Sequence, residues 1–172
     1  MFQINDTVIY GTQGACKISE IMQKKFAGKP MKYYVLKPIY DENSTVYIPV
    51  DNQGLVNKMR RLLSAREIHE IIQAMPDEEC VWIENEHERK QAYKDIISRG
   101  DRLELVKLIK TLYFHQQAQQ AKGRKLHMAD ERYFKEAEKL LYSEFALVLN
   151  IEPEQVVPFI ANQIEVEGKP SV

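Results

Sequence analysis

The feature that most constrains the fold is a change in hydrophobic pattern at Ser64. Before it, short runs of β-branched and aromatic residues are separated by turns rich in Gly and Pro, which is typical of β-strands. After it, apolar residues recur with the 3.6-residue spacing of amphipathic helices. We therefore expect an α+β chain with two cores, a small β domain over residues 1–60 and an all-helical domain over residues 61–172.

The β domain is predicted to contain at least four short strands. The first is Thr7–Tyr10, which ends at the turn Gly11–Gly14 because glycine tolerates positive φ. Phe26–Pro30 is predicted to be a hairpin loop. Further strands are expected over residues 15–22, 31–39 and 44–50. Four or five short strands with tight turns cannot cover both faces of a flat sheet, so we expect closure into a small SH3- or Tudor-like β-barrel.

Capping signals define the helices of the second part. Ser64 and Glu67 have the spacing of a capping box, and Asp101 and Glu104 repeat that pattern after a helix stop at Gly100. The predicted helices run from Ser64 to Pro76, Glu86 to Ser98, Asp101 to near Gly123, Asp130 to Leu149, and onward from Pro153. We expect a bundle of four or five helices, with a frayed tail after Ile164.

Composition and motifs argue against a membrane protein and an enzyme. The chain is 44% apolar and 28% charged with a net charge of −1, as in folded soluble proteins, and it has no apolar run near the ~20 residues of a membrane helix. Gly11 and Gly14 precede no helix that could receive a phosphate, and the four histidines lack metal-ligand spacing. Cys16 and Cys80 are expected to be reduced thiols. We therefore expect a cytoplasmic non-enzyme without cofactor or metal.

Three features point to binding instead. The edge of an SH3-like sheet can pair with a partner's strand, and Lys24, Lys25 and Tyr47 would border such an edge. The segment between Leu105 and Met128 has basic but no acidic residues, so it either faces phosphates or is an ordinary solvated helix surface. Trp82, the single tryptophan, is either a packing anchor or a wedge that stacks on nucleic-acid bases.

Several segments occur in a particular order over residues 1–149. They are Asn5–Gly11 with Gly14, Tyr33–Lys37 and Ser44–Pro49, followed by Tyr93–Lys94, Gly100–Asp101, Leu105–Leu112, Asp130–Arg132 and Ala137–Ala146. Together they resemble the CarD/CdnL family of bacterial transcription regulators. The first part is also similar to the polymerase-interacting domain of the transcription-repair coupling factor.

The resemblance implies that the β domain docks by strand addition on the β subunit of bacterial RNA polymerase. By position, Lys24, Lys25 and Tyr47 fall where the family contacts polymerase, although the family usually has a basic residue in place of Tyr47. The helical domain would then lie over promoter DNA and modulate the stability of the open complex, the protein acting as a monomer.

Weak, non-specific DNA contacts are expected for seven residues of the helical domain. Trp82 corresponds to a minor-groove wedge of the family, although it lies about one helical turn too far from Gly100 and is followed by Glu84, Glu86 and Glu88, whose carboxylates repel phosphates. The expected backbone contacts are Arg89, Lys90, Lys122, Arg124, Lys125 and Arg132. The alternative is a protein–protein adapter on RNA polymerase that has no DNA-binding activity.

Overall fold

The structure is a computed structural model that describes residues 1–166. The chain divides into two compact units, Met1–Leu62 and the residues from Leu63 onward. This boundary lies two residues beyond the one expected from sequence. A frayed tail was expected after Ile164, but the last helix extends to Val166; residues 167–172 lie outside the described residues.

The first unit is a five-stranded antiparallel sheet in the order β4-β3-β2-β1-β5. Its strands are β1 (Thr7–Tyr10), β2 (Gly14–Phe26), β3 (Lys29–Pro38), β4 (Val46–Pro49) and β5 (Met59–Arg61), and a short helix α1 (Gln53–Val56) precedes β5. Because β4 and β5 are the two edges and do not pair, the sheet is open and the predicted closed barrel is wrong. Its apolar face is covered instead by partly buried side chains outside the strands, which include Phe2, Leu55 and Val56.

The core of the sheet follows the alternation of side chains along the strands. Val8, Cys16, Ile18, Leu36 and Ile48 are almost completely buried on one face of the sheet. This arrangement explains why the β-branched runs of the sequence fold as strands, since each run places every second residue in the same apolar layer.

The β2–β3 hairpin is longer than the sequence suggested. Its loop is the two-residue turn Ala27–Gly28, with φ values of 49° and 79°, so Phe26 and Lys29 already pair as strand residues. Two positive φ values are the geometry that matches the twist of paired strands. A bulge between Ile18 and Glu20 shifts the register within this hairpin.

Up to Val166, where the described residues end, the second unit contains five α-helices, among them the elements that the capping signals predicted. They are α2 (Ala65–Ala74), α3 (Glu86–Arg99), α4 (Arg102–Ala121), α5 (Met128–Leu149) and α6 (Val156–Val166). Ser64 and Glu67 form the complete capping box, and Asp101 caps α4 by accepting from the Glu104 backbone N–H. Of residues 1–166, no helix combines the length and apolarity needed to cross a membrane.

An ion pair ties the start of α4 to α5. The Arg102 guanidinium donates to both carboxylate oxygens of Glu144, with Nε–Oε1 and Nη2–Oε2 distances of 3.0 and 2.8 Å. Glu144 is almost completely buried and also accepts from the Leu63 backbone N–H at 3.4 Å. The bidentate geometry therefore fixes the start of α4 against the C-terminal half of α5, through two residues that are 42 positions apart in the sequence.

Candidate functional site

The long hairpin brings together two of the three residues predicted to contact polymerase. Lys24 Nζ lies 5.0 Å from the centroid of the Tyr47 ring, a cation–π geometry, although the two residues belong to β2 and β4. Successive residues of a strand point to opposite faces, so Lys25 lies on the other face of the hairpin. Lys24 and Tyr47 therefore share one surface, and Lys25 does not belong to it.

Phe26 belongs to the same face but was not singled out from sequence. It lies two residues beyond Lys24 on β2, and 68% of its surface is exposed. Tyr47 is 49% exposed. We call the surface made by Lys24, Phe26 and Tyr47 the hairpin face. In the sequence, Phe26 is an aromatic residue directly before Ala27–Gly28. This placed it in the predicted loop, and only the two-residue length of the turn shows that Phe26 is a strand residue.

The outer edge of β4 has one residue whose backbone is available to a further strand. The Val50 N–H donates to the Lys32 carbonyl at 2.9 Å, and bonded pairs alternate in antiparallel ladders, so Ile48 and Val46 bond to β3 while Tyr47 and Pro49 face outward. Pro49 has no N–H, and its carbonyl accepts from the Asn52 N–H at 3.1 Å. Within β4, Tyr47 alone therefore presents both an N–H and a carbonyl outward.

The Arg89 side chain is buried and bonded to other residues within the helical unit. It is 3% exposed, and its Nε and Nη2 donate to the two carboxylate oxygens of Asp130, each at 3.0 Å. Its Nη1 donates to the carbonyls of Ile83 and Glu84 at 3.1 and 3.3 Å. This binding to Asp130 raises the pKa of Arg89. Because its donors are used within the protein, we assign Arg89 a structural role instead of the DNA contact expected from sequence.

Trp82 is half-buried and packs against His115 and Arg89. Its ring stacks on His115 with centroids 3.5 Å apart and planes 13° apart, and the Arg89 guanidinium carbon lies 4.5 Å from the ring centroid. Burial lowers the pKa of His115, which favours the neutral imidazole in this stack. These contacts occupy ring faces that a wedge would need for stacking on a base, so they favour the packing-anchor alternative.

The basic residues around the α4–α5 connection are exposed. Lys122, Arg124 and Lys125 all face solvent. Gly123 has φ of 68°, and the Arg124 N–H donates to the Gln119 carbonyl at 2.8 Å, which is a Schellman-type helix end that fixes the path of the backbone. We call Lys122, Arg124 and Lys125 the basic turn. It is the concentration of cations that the sequence predicted, held on a defined backbone.

The remaining two predicted DNA contacts have local partners. Lys90 Nζ lies 2.9 Å from Glu86 Oε1 on the same helix. The exposed Arg132 places its guanidinium carbon 5.2 Å from the centroid of the Tyr133 ring. Both side chains remain at the surface, where such contacts are weak.

The thiols and the metal-ligating residue types form no cluster. Cys16 is buried and Cys80 is exposed, and both are free. Burial raises the pKa of Cys16 to about 11. Across the part of the chain that the structure describes, no group of three or more His, Cys, Asp or Glu side chains is arranged to hold a metal ion.

The two units correspond to two known domain families. Residues 2–63 match the CarD-like/TRCF RID domain, and residues 70–161 match the CarD C-terminal domain. The chain therefore belongs to the CarD-like family, which confirms the resemblance seen in its sequence segments. Among curated relatives, "Putative transcription factor YdeB" of Bacillus subtilis (strain 168) is 27% identical over 165 residues, which cover 92% of this chain and 99% of that protein.

Proposed function

We propose that the protein is a bacterial transcription regulator that binds the β subunit of RNA polymerase through β4 and lengthens the life of the promoter open complex through weak DNA contacts. Family membership supports a role with RNA polymerase. The observation that carries the docking mode is the outward backbone of Tyr47 on the edge strand.

A partner strand would add to the sheet beside β4. Its backbone would exchange hydrogen bonds with the Tyr47 N–H and carbonyl, which β3 leaves unused. Exposed Tyr47 and Phe26 would supply apolar contact area, and Lys24 a positive charge, so the hairpin face favours a partner strand flanked by apolar and acidic residues. Lys25 would lie outside this contact.

The DNA contacts are assigned to the basic turn (Lys122, Arg124 and Lys125), with Lys90 and Arg132 as weaker contributors. Five phosphate contacts give a salt slope of about −4.5, so doubling the salt concentration would weaken binding ~20-fold. Free DNA binding would be poor, with Kd of roughly 10⁻⁴ M or higher. Attachment to polymerase raises the effective DNA concentration to the order of millimolar, which is enough for occupancy.

A second function is supported by the charge next to Trp82. Glu84, Glu86 and Glu88 are all exposed at or just before the start of α3, and carboxylates repel phosphates. An adapter that binds polymerase through the same β4 edge, and recruits another protein instead of DNA, would use this acidic surface. The two functions share the docking step and differ in the basic turn.

Two substitutions of Tyr47 test the docking mode. Tyr47→Ala removes the ring and keeps the N–H, and we expect it to weaken binding to RNA polymerase holoenzyme about tenfold. Tyr47→Pro also removes the outward N–H, and we expect a further loss of roughly tenfold from the lost hydrogen bond. Because that N–H does not bond to β3, the sheet should remain folded, which circular dichroism would check.

The matched control is Lys25→Ala, on the opposite face of the hairpin, which should bind as the unsubstituted protein does. Biolayer interferometry with immobilised holoenzyme measures all three variants, and sedimentation of the free protein should show a monomer. Equal affinities for Tyr47→Pro and Tyr47→Ala would exclude strand addition at this edge.

Substitutions in the basic turn distinguish the regulator function from the adapter function. The triple variant Lys122→Ala, Arg124→Ala and Lys125→Ala should bind polymerase normally but shorten the lifetime of the promoter open complex, and its salt slope on DNA should fall by about 2.7. The control replaces Lys94, Arg99 and Lys139, which are exposed elsewhere on α3 and α5, with alanine. If the triple variant leaves the open-complex lifetime unchanged, the adapter is correct.

A further inference from the structure

A half-open cavity of about 360 Å³ lies in the helical unit, among α4, α5 and α6. Its walls are mostly apolar and include Val106, Ile109, Phe134, Leu141 and Ile160. A cavity of this size and character falls in the range of small-molecule sites. Its lining includes Leu126, which directly follows the basic turn, but none of Lys122, Arg124 and Lys125, and the proposed function makes no use of it.

The polar side chains that α5 contributes to the lining include Glu138 and, one helical turn later, Tyr142. Among the described residues, none donates a hydrogen bond to the Glu138 carboxyl or forms an ion pair with it. Burial raises the pKa of Glu138, and burial together with the nearby Glu138 raises that of Tyr142. A carboxyl in an apolar wall without a cationic partner is an unfavourable arrangement that a suitable ligand would relieve.

The cations that line the cavity are already bound elsewhere. Lys110 Nζ donates to three backbone carbonyl oxygens just after α2, at 2.7 to 3.0 Å. Lys135 Nζ lies 3.2 Å from a carboxylate oxygen of Glu131, at the exposed side of α5. The positive charges of the wall are thus neutralised or hydrogen-bonded locally, which leaves the Glu138 carboxyl as a charged group of the lining without a partner among the described residues.

We propose that this cavity binds a small amphipathic amine, with its apolar body among α4, α5 and α6 and its ammonium group on the Glu138 carboxylate. The Tyr142 hydroxyl can accept a second hydrogen bond from the same ammonium, which carries three donors. A ligand with a carboxylate head would be repelled by Glu138. An alcohol of the same length would fill the apolar space without the charge-assisted bond.

The head group is tested with three ligands that share one apolar chain: octylamine, 1-octanol and octanoate. By isothermal titration calorimetry at pH 8, octylamine should bind one per chain, about tenfold more tightly than 1-octanol, and octanoate should bind most weakly. Equal affinities for octylamine and 1-octanol, or tighter binding of octanoate, would overturn the assignment of Glu138 as the anchor.

A matched pair of variants on one helix isolates the carboxyl. Glu138→Gln should weaken octylamine about tenfold and leave 1-octanol within about twofold. Glu136→Gln removes the same charge from an exposed position of α5 outside the cavity, and should leave both affinities unchanged. An identical loss in both variants would mean that only overall charge matters, and the site would be rejected.

A third variant tests the cavity itself. Ala161→Phe places a ring into the wall formed by α6, and should abolish binding of octylamine and 1-octanol while circular dichroism stays unchanged. If binding persists, the ligands bind elsewhere. Sedimentation with and without octylamine tests whether a second copy of the chain occupies the cavity instead. If the amine dissociates a dimer, a second copy fills the cavity and the proposal is wrong.

Binding should also depend on pH with a defined sign. As pH rises through the raised pKa of Glu138, the carboxylate forms and octylamine should bind more tightly until the amine itself loses its proton near pH ~10. The other titratable or charged groups of the wall are Lys110 and Tyr113 from α4, and Glu131, Lys135 and Tyr142 from α5. In Glu138→Gln this dependence should disappear; its persistence would overturn the assignment of Glu138 as the titrating group.

Discussion

The two units of this protein are built with different core chemistry. The core of the sheet is a layer of apolar side chains, whereas the buried polar and charged residues of the described chain all belong to the helical unit. They are Arg89, Thr111, Asp130, Ser143 and Glu144. In the sheet unit a lysine such as Lys24 is a surface group. In the helical unit, a basic residue can be either a surface group or part of a buried ion pair. Charge in the sequence therefore does not by itself identify a binding face.

The largest effect should come from breaking the tie between α3 and α5. Arg89→Ala leaves the Asp130 carboxylate buried without its partner, and we expect a loss of about 3–5 kcal/mol in the free energy of unfolding. The control is Lys90→Ala, which removes an exposed ion pair with Glu86 and should leave the free energy of unfolding nearly unchanged. Urea unfolding followed by helical circular dichroism measures both. Similar losses for the two variants would mean that Arg89 is not a buried tie.

The next effect compares the thiol in the sheet core with the thiol in the helical unit. Cys16 is fully buried and its pKa is about 11, so only about one molecule in a thousand carries a thiolate at pH 8. Cys80 is exposed. In native buffer a thiol reagent should modify Cys80 at least ~100-fold faster than Cys16, because Cys16 also requires opening of the sheet. Mass spectrometry of timed samples distinguishes the two. Comparable native rates would show that the sheet core opens readily.

The smallest of these effects concerns the start of the helical unit. Ser64 Oγ accepts from the Glu67 N–H at 3.2 Å, and Ser64→Ala should lower the free energy of unfolding by about 1 kcal/mol. Ser64→Asp keeps an acceptor at the cap and should change it by only a few tenths of a kcal/mol. Thermal unfolding compares the two variants. An equal loss of unfolding free energy in both variants would mean that the effect comes from the surrounding residues and not from the helix cap.

What could be read from the sequence was local. Ser64 and Asp101 define helix starts because a cap acts on residues within one turn, and the structure confirms both. Arg89 and Asp130 are 41 residues apart, so no local pattern shows that they bind each other. Arg89 was therefore grouped with the surface cations. The basic turn, whose residues lie close together in the sequence, stays exposed in the structure, as do Lys90 and Arg132.

The openness of the sheet was missed for a similar reason. β5 has three residues and α1 has four, which is too short for a periodic signal. Closure also depends on what else can cover the apolar face. Phe2, Leu55 and Val56 come from both ends of the unit and cover that face together, which only the folded chain reveals. Phe26 became a candidate only after the turn beside it was seen to contain two residues.

Pro49 has a consequence for the solubility of the protein. An open sheet with a bare edge can pair with the same edge of another copy, and such pairing can repeat into aggregates. On the outer side of β4, Pro49 supplies no hydrogen-bond donor and its carbonyl is already used, so a second β4 would find one matching residue instead of two. The proposed partner strand, which would bring its own side-chain contacts, would still find the Tyr47 N–H and carbonyl. The β4 edge is thus poorly suited to pair with another copy of itself, which favours pairing with the proposed partner strand over self-association.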